Sequence, residues 1–307
     1  MRGARKAAAV VPDVRASLGA MLFRRVAGPD GPATRARIHG TPGPRWFVSG
    51  RPIRVVHGDA AMFVGGLGAL LLQSLHPLAM AAVAAHSGYR GDPWGRLQRT
   101  SAFLAVTTYG TADDAQAAVA AVRGVHAKVR GTTPDGQPYH AADPHLLGWV
   151  HAAETECFLR AHERYGCAPL DRAGYDAYVA DTARVAEALG VIDPPRDRRE
   201  LSARLAGYRP ELRATPDARS AARFLLLEPP LPLPVRPLYG ILAANAVTLL
   251  PSWARSLLRL PRLAVVEDVT VRPAGQLTHQ HIGHPAHLDL GTVLRVVQHP
   301  VTRLHRT

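Results

Sequence analysis

Three histidines, His76, His86 and His126, stand in apolar surroundings in this 307-residue chain, and they raise the first question about its chemistry. Val119, Val122, His126 and Val129 follow the i, i+3, i+7, i+10 spacing of one helix face, so the imidazole of His126 is predicted to point into a core. A neutral imidazole tolerates such a place only when its nitrogens find partners. Hydrogen-bonding groups of the core are one kind of partner and an iron or zinc ion the other; the spacing leaves both open. Arg123 and Arg130 lie about one turn before and after it, where they would hold the propionates of a haem or else face solvent.

A second set lies upstream. Arg96, Arg99, Thr100 and Phe103 share one face of a predicted helix, so two guanidinium groups and a hydroxyl converge beside an aromatic ring. That donor-rich face suits a bound anion, a haem propionate or a reduced oxygen species, and a solvated basic face has the same spacing. His76 directly precedes Pro77. It is expected either to bond a backbone carbonyl freed by the proline or to act as an acid or base in a pocket. His151 and Glu154, spaced i, i+3, are placed to pair, and Glu154 is the first glutamate in the chain. His279, His281, His284 and His287 would bind a transition metal weakly, with no helix or strand cue to fix their geometry.

The elements that must position these groups are helical. Alternating β-branched runs are rare, whereas alanine-rich segments with helical spacing and explicit caps recur from Asp59 to about Leu260, which predicts an all-α fold. Asp59 reads as the N-cap of a long apolar helix that breaks at Pro77 and stops near Gly88. Asp92-Pro93 starts a helix to Gly110, and Thr111 caps the next, with Asp113 and Asp114 in its first turn and Gly131 at its end. A Pro/Gly loop over 132–142 leads to Asp143-Pro144 and a helix ending near Gly166. Further helices are predicted at about 171–189, 198–208, 216–227 and 238–260, with a proline-rich connector before the last. Residues 1–50 read as a basic Gly/Pro-rich arm, 51–260 as the helical domain, and 261–307 as an irregular His-rich tail. Gly65, Gly66 and Gly68 inside the apolar helix are expected to permit close helix packing.

Composition excludes several classes. A hydrophobic share of 47% supplies a core, and two cysteines, Cys157 and Cys167, allow neither a disulfide framework nor a cysteine-rich zinc fold. The net charge of +13 raises nucleic acid as a partner, yet the arginines are scattered and no nucleic-acid motif occurs, so none is expected. No P-loop, G-x-S-x-G elbow or H-E-x-x-H string is present. The apolar run from Ala7 to Val11 is too short for a signal-peptide core and that from Ala60 is interrupted before it could span a bilayer, which points to a cytoplasmic chain. Peripheral membrane contact through the basic, Trp-containing segment 238–260 stays open.

Read together, Gly58-Asp59, the stretch Ala69 to Pro77, His86 to Arg90, Asp92 to Thr100, Tyr109-Gly-Thr, Val125-His126, Tyr139 and Asp143 to His151 resemble the oxygenase MpaB family, which includes the catalytic domain of rubber oxygenase. The resemblance covers about 50–260. It implies a globin-like helical bundle enclosing haem b, and a haem-dependent oxygenase that oxidises a small apolar substrate with dioxygen, oxidative cleavage of a carbon–carbon double bond being the family precedent. A peroxide-using version of the same site stays open. A Val-Arg-x-x-His-x-x-Val-Arg string carries the iron ligand in rubber oxygenase and matches Val122 to Arg130, so the resemblance gives that role to His126, with Arg123 and Arg130 beside the cofactor. An Arg-x-x-Lys-Thr string on the distal side matches Arg96, Arg99 and Thr100, with arginine in place of lysine. The distal glutamate base of the rubber enzyme has no counterpart before Glu154, which leaves His76, or His86, to supply an acid or base. The competing class is a haem-free helical protein that binds a lipid surface.

Overall fold

The computed structural model describes residue 28, residues 31–88 and residues 91–261. The chain there is mostly helical. Twelve α-helices follow in order: α1 Gly31–Gly40, α2 Pro52–Gly58, α3 Ala61–Gln73, α4 Pro77–His86, α5 Pro93–Tyr109, α6 Ala112–His126, α7 Pro144–Tyr165, α8 Arg172–Leu189, α9 Arg198–Tyr208, α10 Pro216–Leu227, α11 Arg236–Leu249 and α12 Ser252–Leu257. Single-turn helices at Arg209–Glu211 and Leu233–Val235 and one short antiparallel ribbon, β1 Arg130–Thr132 with β2 Pro138–His140, complete it.

The helix starts are set locally. Asp92, Thr111, Asp171, Asp197 and Thr215 each accept a backbone N–H three residues on, and Asp143 accepts that of His145. Pro93, Pro144 and Pro216 follow such caps at the first helical position, where their missing N–H is harmless. Asp59 turns its side chain onto the N–H of Ala61 and with its second oxygen accepts the N–H of Cys167, tying α3 to the end of α7.

At the centre, α3 packs along α7. A Cβ added at Gly65 would come within 3.0 Å of the Cys157 carbonyl and 2.8 Å of the Phe158 ring, so glycine is what allows this approach. Leu71, Leu72, Leu75 and Trp149 are fully buried around the pair, each contributing about 1.5–3 kcal/mol of transfer free energy. α11 covers the other face of α3 through Ala243, Ala246 and Leu249. On the far side of α7, Phe47, Ile53, Val56, Tyr175 and Tyr178 form a second core with α2, α8 and α9. Residues 41–50 wrap this side: the Arg45 guanidinium bonds the carbonyls of Ile38, Thr41 and Tyr109.

Five elements differ from expectation, the first being α1, which lies inside the stretch read as an arm. α2 was hidden by its seven residues, too few for a period to show. The helix from Thr111 ends at His126 and not at Gly131, because the chain tightens there (Lys128 N–H to Val125 O, 3.0 Å) and then pairs Arg130 with His140. Gly136, at φ +83°, closes the turn of that ribbon. The last predicted helix breaks at Pro251 into α11 and α12. Among the described residues no single helix is long and apolar enough to cross a membrane, although α2 and α3 would pass together as a pair bent by 90°. The four C-terminal histidines lie outside the described residues.

Candidate functional site

His126 closes α6. Of its predicted apolar face, only Val119 is buried; Val122, His126 and Val129 are half-buried, and Val125 beside them is 61% exposed. The imidazole therefore sits at the margin of the core, not inside it, because the helix runs out before its face reaches the next layer. Nδ1 is shielded from solvent and has no hydrogen-bond partner. Burial first, and the neighbouring His140 second, hold the His126 pKa below the ordinary histidine value, so the ring is neutral at pH 7 and keeps a free lone pair. His140 likewise has a shielded, partnerless Nε2.

The two-residue period of β2 turns Tyr139 to the opposite face from His140. There the Tyr139 hydroxyl meets His86 Nε2 at 3.3 Å, at the C-terminal end of α4. Arg96, in the first turn of α5, donates to the Ser87 hydroxyl at the same end (3.2 Å), and Ser87 in turn donates to Val83 O. The remaining expected residues spread out. Arg99 pairs with the capping Asp92 at 3.3 Å, both side chains more than half exposed, and Thr100 is exposed. Arg123 reaches across to the Ala188 carbonyl at the end of α8 (3.1 Å), and Arg130 folds onto Ala127 O.

His76 lies at the other end of α4. Ten residues at 1.5 Å rise separate it from His86 by about 15 Å, so the two cannot serve one reacting centre. The carbonyl of Gln73 at the helix break goes to the Trp149 indole N–H (3.1 Å), while His76 turns to the carboxylate of Glu211. Nε2 of His76 and Nε2 of His145 approach the same oxygen, Oε2 of Glu211, at 3.2 and 2.8 Å. His76 is buried among the rings of Trp149, Tyr208 and His145. That burial lowers its pKa, against the opposing pull of Glu211.

A third polar group lines the bundle interior. His57 of α2 bonds Thr108 Oγ1 (2.9 Å) and the Tyr178 hydroxyl (3.3 Å). Burial pushes the His57 pKa down to about 3 and lifts that of Tyr178 well above its usual value. Glu154 is raised to about 7 by desolvation. His151 is lowered to about 4, by burial and then Arg204, and its Nδ1 faces Thr155 Oγ1 (3.4 Å) and not the Glu154 carboxylate with which it was expected to pair. Two open clefts of about 400 and 350 Å³, lined by Glu163, Tyr175 and Arg198 and by Glu156, Arg160 and Thr248, do not include His126. His57, Tyr178, His145 and Glu211 carried no sequence signal of their own, apart from Pro52 as the start of a helix that would carry His57 inward.

Residues 54–279 match the family described as ER-bound oxygenase mpaB/B'/rubber oxygenase, catalytic domain, which is most of the chain, and the chain belongs to that family of oxygenase domains. An uncharacterized protein of Mycobacterium bovis and one of Mycobacterium tuberculosis are each 38% identical over 100 residues, 32% of this chain. The match spans 38% of the length of each of these relatives. No solved structure matches.

Proposed function

We propose that this member of the mpaB/rubber oxygenase family is a haem b-dependent oxygenase acting with dioxygen on a small apolar substrate, and that His126 would hold its iron. The observation that carries the reading is the state of His126: neutral, half-buried and with a partnerless nitrogen beside the exposed Val125. An unsatisfied imidazole next to uncovered apolar surface fits a planar, apolar group with a metal at its centre. Arg123 and Arg130 each commit one nitrogen to a backbone carbonyl, and their remaining N–H donors fit the carboxylates of such a group. A bound haem would supply the redox chemistry by which dioxygen is activated.

The chain's own residues do the rest. His126 binds, with a tautomer that leaves its coordinating lone pair free. Arg96, steadied by Ser87, presents a permanently charged donor from the first turn of α5, with Thr100 one turn on. Arg99 shares the helix and keeps its donors at the surface, where Asp92 neutralises its charge. His76 takes no part at this end of α4. Oxidative cleavage of a carbon–carbon double bond is the reaction we assign by family precedent.

Exposed Leu227, Leu233, Leu238 and Ile241 around α11 favour a second reading, in which this face lies against a lipid surface. The test of the main reading is optical. The purified chain should show a Soret band and a haem b pyridine spectrum at one haem per chain. A colourless protein that takes up no hemin would overturn it and leave the lipid-binding reading.

A further inference from the structure

We propose that His76, His145 and Glu211 form a binding site for a divalent transition-metal ion of the zinc class, independent of haem and of His126. One ligand atom from each of the three residues lies within 4.8 Å of the other two. Glu211 Oε2 stands 3.2 Å from His76 Nε2 and 2.8 Å from His145 Nε2. Zinc bound at about 2.0–2.1 Å to nitrogen and oxygen holds its ligand atoms about 3.0–3.4 Å apart. Two of the three spacings are thus those of a coordination polyhedron within a few tenths of an ångström, and the third, between the two imidazole nitrogens, lies within 4.8 Å, so closing the site asks for at most a small shift of the half-exposed His145. Two imidazoles and one carboxylate form a donor set that suits zinc, iron, nickel or copper and not calcium or magnesium.

The three groups come from places 66 to 135 residues apart in the chain, yet the backbone that carries them is tied together. The Tyr208 hydroxyl donates to the carbonyl of His145 (2.8 Å), and the Arg213 N–H to that of Leu75, next to His76 (2.9 Å). Trp149 and Tyr208 wall the imidazole of His76 from behind. In front, His145 and Glu211 are about half exposed, so an ion can enter and a fourth, solvent position stays open.

Two features limit the affinity. His76 Nδ1 has no acceptor to orient it, and missing support of this kind costs metal sites about 10- to 100-fold. Arg213 acts on His76 as a like charge, although its guanidinium is shared with Asp135 at 3.2 Å. Both features point to micromolar rather than nanomolar binding.

The test uses the full chain without a polyhistidine tag, with His279, His281, His284 and His287 replaced by Gln so that they cannot compete. Titration with zinc chloride in a calorimeter should show one ion per chain. Cobalt(II) in its place should give visible absorption of a low-coordinate nitrogen–oxygen site. His145→Ala and Glu211→Gln, both at the half-exposed mouth, should each weaken zinc by about 10-fold or more while the far-UV circular dichroism of the parent is kept. Absence of stoichiometric zinc binding, or binding undiminished in both variants, would overturn the proposal.

Discussion

Glu154→Gln should make the protein more stable in mild alkali and leave it nearly unchanged in acid. Glu154 projects from α7, half-buried, and desolvation pushes its carboxyl up to about 7 from an ordinary 4.5. Between those values the folded chain retains a proton that the unfolded chain has released. Stability therefore declines as pH rises through this interval, at about 1.4 kcal/mol per pH unit. The full interval amounts to about 3 kcal/mol, and the residue's partial accessibility reduces this to about 2 kcal/mol. Glutamine keeps the shape and hydrogen-bonding capacity without the charge. Urea unfolding of both proteins at pH 5 and pH 8.5 isolates the effect, since every other titrating group is common to the two. The variant should gain about 2 kcal/mol on the parent between the two pH values. Stability curves that run parallel would refute the assignment of a raised pKa to this carboxyl.

On the acid side the sign reverses. His57 and His151, lowered to about 3 and about 4, stay neutral in the fold, so the stability they contribute is complete above pH 6.5 and is lost as pH falls below it; thermal melts should show a shallower acid decline in His57→Asn than in the parent. Gly65→Ala sets a methyl group 2.8 Å from the Phe158 ring and 3.0 Å from the Cys157 carbonyl, and should cost about 1–3 kcal/mol in a denaturant titration. Arg96→Ala and Thr100→Ala should leave haem bound while slowing oxygen consumption by about 10- to 1000-fold, the range for losing one preorganised donor. Full activity in both variants would remove the distal role from this face.

How much could be read in advance follows from the range of the forces involved. The starts of α5, α6 and α7 were legible because a cap is a contact three residues long: Asp92, Thr111 and Asp143 carry their own instructions. That some helix would approach α3 closely was legible in its glycines, and Gly65 is where the space is needed, but nothing local named α7 as the partner. α2 was not legible, because seven residues hold too little periodicity, and so His57 went unnoticed although burial pushes its pKa down to about 3. The end of α6 was set by a ribbon whose strands have three residues each, a tertiary pairing that overrides the valine spacing running on to Val129. His145 and Glu211 could not be joined to His76 by any local rule, since helix packing alone brings them together. Family resemblance, in contrast, reached His126 through a single short string and carried no knowledge of its surroundings.

If His126 holds iron, hemin titration of the His126→Ala variant shows it most directly. The variant should fail to develop the Soret band of the parent at equal protein concentration, or develop one shifted in position, and added free imidazole should restore the parent spectrum. A variant that binds one haem per chain with the parent's affinity and an unchanged Soret maximum would contradict it.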